Sequence, residues 1–209
     1  MKKIINKVIR FMIYSDIVLH SGWGFLGPVF AIFIVQNIAA GDPIEGVKIA
    51  GFASLSYWII KSSLQIPIGK NLDKNHGEKD DFRFMIFGTF LTGLVPFGFM
   101  ISSQPWHIYA FHVLHAVGMA MVVPSWSAIF TRHIDKGREA FEWSLRSTTL
   151  GFAMGITGAL GGILVAICGF NIIFILAGSL SIISSFILLG IDKEIVARDH
   201  ISPKFPYPF

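Results

Sequence analysis

Long apolar stretches alternate along the chain with short segments that hold nearly all of its charge. The apolar runs cover residues 11–36, 49–68, 84–101, 107–130, 144–168 and 172–190. A helix rises ~1.5 Å per residue, so ~20 apolar residues cross the ~30 Å of bilayer hydrocarbon. The pattern predicts an all-α membrane protein with six transmembrane helices over residues 11–190. Residues 1–10 form a basic tail, and residues 191–209 a polar one, irregular where its prolines cluster. Gly22, Gly24 and Gly27-Pro28 interrupt the first run, a break that neighbouring helices in a bundle can tolerate. Residues 67–84 (PIGKNLDKNHGEKDDFRF) read as a charged hairpin between the second and third helices, and TRHIDKGREAFEW as a second charged loop before the fifth.

Composition removes the soluble alternatives. Of 209 residues, 53% are hydrophobic and only 14% charged, with a mean hydropathy of +0.64; soluble domains carry about 25% charged residues. Fifteen of the 17 Lys and Arg fall in the two tails and the two charged loops, while the loops after the third and fifth helices hold none. This is a positive-inside distribution, and it predicts that both termini are cytoplasmic. The net charge of +4 therefore reads as membrane topology, with no nucleic-acid partner. Cys168 is the sole cysteine, which excludes an intramolecular disulfide and a thiol-rich metal site. The first apolar run is too long for a signal peptide and lacks a small-residue cleavage site, so it reads as a retained helix in the cell (inner) membrane.

Three polar stripes at helical spacing carry the candidate chemistry. Helix one presents Asp16, His20, Trp23 and Gly27; helix two Ser54, Tyr57, Lys61 and Gln65; helix four His112, His115, Met119, Val122 and Trp126. A charge at the bilayer centre costs at least ~2.5 kcal/mol, so these faces should look into the bundle or a wet cavity. Lys61 has two readings: a lysine snorkelling or paired for packing, or a fixed charge that binds an anion or trades a proton. Asp16, about five residues into the first run, reads as a gate or interface residue more than a deep ligand. His112 and His115 supply only two ligands and no following Glu, so no metal site is expected. Substrate hydrogen bonding, proton coupling and quiet packing all remain open for the pair. An intramembrane serine protease would need a Gly-x-Ser-Gly motif and a late-helix histidine; helices five and six hold neither, so no enzyme and no cofactor are expected.

The charged hairpin, with Gly69, Asp73 and Gly77 at intervals of four among Lys70, Lys74, Lys79 and Arg83, resembles the second-to-third-helix loop of the major facilitator superfamily. That pattern is Gly-x-x-x-Asp-x-x-Gly-Arg/Lys; here the second glycine comes one residue late and Glu78 replaces the next basic residue. The likeness continues through Gly118…Pro124, Gly137-Arg138-Glu139, Thr157-Gly158-Ala159-Leu160-Gly161-Gly162 and Gly169-Phe170-Asn171, in the order of the family's N-terminal half. Leu114 stands where drug–proton antiporters carry an arginine, and Ala159 where their fifth helix carries a proline, so the likeness is to the superfamily rather than to that subclass.

The resemblance implies a secondary active transporter of a small solute working by alternating access. It places Asp16, His20, Trp23, His112, His115, Met119 and Trp126 on the substrate or proton path, with Tyr57, Lys61 and Gln65 beside them. It makes Gly69, Asp73, Gly77 and Arg146 a cytoplasmic gate, in which Asp73 meets the Ser144–Ser147 end of helix five in the opposite half, where roughly half a positive charge favours a carboxylate. Family members have twelve helices in two parallel halves. Six helices with one fixed orientation imply a parallel homodimer that rebuilds the whole, with protons as the first choice of coupling ion. The alternative is a transport-inactive membrane subunit or a fragment of a twelve-helix transporter.

Overall fold

Asn6 starts the fold. Its side chain accepts the Ile9 backbone N–H at 3.0 Å and so caps helix α1, Lys7–Leu26. In the computed structural model, which describes residues 5–75 and 77–195, every regular element is a helix. The break in the first apolar run falls at Gly27–Val29, and α2 (Phe30–Asn37) leaves at 41° to α1. Gly22 and Gly24, expected to contribute to that break, remain helical because they are sites of close helix approach. A Cβ on Gly22 would lie 2.9 Å from the Ala177 carbonyl oxygen, and one on Gly24 would lie 3.2 Å from the Met154 backbone.

Helix α3, Pro43–Asn75, begins before the expected residue 49 because Asp42 accepts the backbone N–H groups of Ile44 (2.8 Å) and Glu45 (3.3 Å). Pro43 also suits a first helical position. The helix then runs on through Pro67, Gly69 and Asp73, so most of the charged hairpin is helical. The connection shrinks to the few residues before α4, Lys79–Met100. Helix α5, Pro105–His133, opens on a capping box between Gln104 and His107. Helix α6, Glu139–Cys168, also starts earlier than its apolar pattern implied, and Gly169 at φ 75° ends it. Helix α7, Phe170–Leu188, passes through a 3₁₀ turn at Leu189–Ile191.

Helices α4, α5, α6 and the stretch Phe170–Ile195 are each long and apolar enough to cross a membrane, and the bent pair α1–α2 adds a fifth when taken as one span. At 33 residues α3 has the length. Ser54, Ser56, Lys61, Ser62, Ser63 and Gln65 dilute its apolar character, so length and composition support four to five spans where six were expected. The molecule is a multi-pass helical membrane protein.

The main helix contacts run in the order α6, α1, α7, α4, α5, α3, with α1 and α5 touching more lightly across the middle. With α1–α2 taken as one element, exchanging the first three elements for the last three leaves this order of strong contacts unchanged. The α1–α6 pair thus corresponds to α3–α5, and α1–α7 to α4–α5. Helices α3 and α6 stand at the two ends. Their outer faces expose Phe52, Trp58 and Ile59, and Phe152, Ile156 and Ile163.

The four-residue spacing of Gly151/Gly155 and Gly158/Gly162 reads as close helix packing, yet Gly151, Gly155 and Gly162 have open space where a Cβ would stand. Close approach falls instead at Gly161, where a Cβ would lie 2.5 Å from the Phe25 carbonyl oxygen. Polar bonds clamp the end of the bundle that carries the basic loops. Arg132 pairs with the fully buried Asp81, His133 Nε2 bonds Glu78 at 2.8 Å, and Asn6 Nδ2 donates to the His133 carbonyl at 2.6 Å.

Candidate functional site

Helix α1 enters the site through Asp16 and His20, α5 through Met119 and Trp126, and α6 through Trp143 and Arg146; together they line a cavity of about 240 Å³. Because α1 starts at Lys7, Asp16 lies ~13 Å along the helix from its start. It is 4% exposed, deeper than its reading as a gate or interface residue implied. Arg146 Nε donates to Asp16 Oδ2 at 2.6 Å, and the guanidinium carbon sits 4.0 Å from the Trp126 ring centroid. Trp143, three positions before Arg146 on the same helix face, adds a second ring at 5.9 Å. A buried ion pair is stable only when its members have further polar or π partners, and the indoles supply them here. His20 Nδ1 donates to the Asp16 carbonyl at 2.9 Å, which fixes its proton on that nitrogen.

A second cluster joins α1, α3 and α5. The His115 ring stacks on Trp23 at 3.9 Å and 5°, with Tyr57 4.9 Å away. Lys61 Nζ lies 4.5 Å from the Trp58 ring and 5.7 Å from Tyr57. Among the described residues it pairs with no carboxylate. His112, one turn before His115, turns to a different environment: its Nδ1 donates to the Ile108 carbonyl at 3.0 Å, and its ring sits between Phe30 (5.4 Å) and Phe99 (5.2 Å). Trp23 Nε1 and Trp126 Nε1 are buried donors with no hydrogen-bond partner among the described residues. An indole N–H left so carries an uncompensated cost.

The structure thus brings eight of the sequence-identified path residues into two neighbouring clusters, while His112 packs apart from them against Phe30 and Phe99. Gln65 lies half-buried further along α3. The gate residues separate. Gly69 faces Pro124, where a Cβ would stand 3.7 Å away; Asp73 is exposed near the end of α3; Gly77 lies in the turn before α4. Arg146 is in the eighth position of α6, not at its N-terminus, and its partners are Asp16 and Trp126. Sequence reasoning missed Trp143 and Trp58. Each stands three residues before a singled-out cation, a spacing that signals a shared helix face.

Fold and site together define a polytopic helical membrane protein with ionisable and aromatic side chains gathered between its helices. The family model described as Major Facilitator Superfamily matches residues 15–205. An "uncharacterized MFS-type transporter" of Methanocaldococcus jannaschii is 24% identical over 196 residues, covering 90% of this chain and 48% of the relative. The chain belongs to the major facilitator superfamily, a family of transporters and not of enzymes, and it spans about half the length of the curated relative it matches.

Proposed function

We propose that this chain is a six-helix half of a secondary active transporter, moving a small solute by alternating access in the cell membrane. The observation that carries the reading is the convergence of Asp16, His20, Trp23, His115 and Trp126 on the inner helices α1 and α5 with Tyr57 and Lys61 on the end helix α3. A solute path needs polar anchors on an apolar wall, and these residues provide both. In this reading α3 is the sixth span, its dilute apolar character reflecting the path it borders. Both termini lie in the cytoplasm.

A parallel second copy covers the exposed faces of α3 and α6 and closes the path on a two-fold axis. Gly69, Asp73 and Gly77 then meet the facing half at the cytoplasmic end. Protons are the coupling ion: neutralising Asp16 frees the Arg146 guanidinium beside His20 and Trp126, readying it for a polar group of the solute. The length of the relative favours a second reading, in which a different six-helix half supplies the other side.

The mass of the nanodisc-held particle separates these cases. Twice 23.1 kDa supports the homodimer, one copy with an unlike partner supports the second reading, and a clean monomer overturns the two-half proposal. Uptake of sugars, small organic acids and aromatic compounds into proteoliposomes under an imposed pH gradient tests transport itself. Uptake indifferent to that gradient removes the proton assignment.

A further inference from the structure

A cavity of about 600 Å³ lies outside the path, in the groove between α4 and α7. On α4 it is lined at Lys79, Arg83, Phe87 and Phe90, a spacing that places all four on one helix face. Across from them stand Phe186, Leu189 and Asp192. The charge is confined to one end. Lys79 and Arg83 are one turn apart, and from Lys79 the groove wall continues for ~16 Å of helix to Phe90. Neither cation has an ion-pair partner among the described residues. The apolar end is open: Phe87 is 57%, Phe186 59% and Leu189 49% exposed. In a membrane these surfaces face acyl chains, and the charged end belongs to the basic-loop side that the charge bias assigns to the cytoplasm.

We infer that the α4–α7 groove is a binding site for one anionic phospholipid of the cytoplasmic leaflet, its phosphate held by Lys79 and Arg83 and an acyl chain laid along the phenylalanine wall. Two unpaired cations one turn apart match a single phosphodiester, and the groove below them matches a chain and not a soluble anion. Asp192 at the rim accepts hydroxyl groups of a glycerol headgroup and repels a second phosphate. The two cations against one carboxylate leave the site with a net positive charge, which selects a lipid with net negative charge over phosphatidylcholine. The site does not depend on the transport reading, since none of its residues belongs to the path or the gate.

Each basic group near a lipid phosphate contributes a factor of roughly five in affinity. Native mass spectrometry of the full-length protein, titrated with phosphatidylglycerol, phosphatidylcholine or phosphatidylethanolamine, reads the site directly. One phosphatidylglycerol should be retained in clear preference to the other two. In the Lys79→Gln/Arg83→Gln variant that affinity should fall roughly 25-fold. The Lys70→Gln/Lys74→Gln variant removes the same charge elsewhere at the same end and should bind as the unaltered protein does. Equal retention of the three lipids by the unaltered protein overturns the assignment without recourse to any variant. So does equal loss in the two double variants, which would reduce the effect to overall charge.

Discussion

The α1–α6 and α3–α5 pairs hold equivalent places in the helix order, yet they treat a half-buried cation in opposite ways. On the first, Arg146 is bonded to Asp16 and covered by indoles. On the second, Lys61 faces the rings of Trp58 and Tyr57 and pairs with no carboxylate among the described residues. Ring quadrupoles attract a cation but supply neither a counter-charge nor a full hydrogen bond. The first cation is therefore built into the stability of its helix pair, and the second is carried at a cost. On the transport reading proposed above, the solute supplies the missing partner of Lys61 part of the time.

The sharpest break of this comparison is at Asp16. Asp16→Ala leaves Arg146 uncompensated and should lower stability by about 3 kcal/mol. Thermal unfolding in detergent should show most of that loss recovered in Asp16→Ala/Arg146→Leu; a double variant as unstable as the sum of the two singles would dissolve the pair. Next in size is the helix approach beneath it. Gly161→Ala places a methyl group 2.5 Å from a carbonyl oxygen and should cost about 1–3 kcal/mol, whereas Gly155→Ala, on the open face of the same helix, should stay within about 0.5 kcal/mol. Equal losses at the two glycines would mean that α6 does not pack on α1 as described.

Smaller still is the expected effect at Lys61. Lys61→Met should leave unfolding unchanged or raise stability by up to about 1 kcal/mol, while abolishing gradient-driven uptake. A stability loss matching that of Asp16→Ala would erase the difference between the two sides. Least of all in stability terms is Asp73→Asn at an exposed position, where unfolding should move by less than about 0.5 kcal/mol and only transport should suffer. Unchanged uptake there removes Asp73 from the gate.

The stripes on α1 and α5 were legible because helical spacing needs no partner to be read, and most of their members meet in the site. Arg146 was legible as a cation but misplaced. The apolar pattern starts its helix near residue 144, while Glu139 starts it in the structure, so an apparent helix-end residue became an interior one. The same limit applies at Pro67 and Gly69, residues that punctuate loops in sequence but stay helical here. His112 and His115 looked equivalent; one packs among Phe30 and Phe99, and the other stacks between Trp23 and Tyr57.

By itself the sequence determined that this is a helical membrane protein, which family it resembles and which helix faces carry ionisable groups. Those properties follow from local chemistry: hydropathy, charge position and the 3.6-residue turn. Only the tertiary structure decided that Arg146 answers Asp16, that Lys61 has aromatic rings in place of a carboxylate, and that Gly24 and Gly161, rather than Gly151 and Gly155, are the points of close approach. Those outcomes depend on which helices become neighbours, and partners 130 residues apart leave no mark in local spacing.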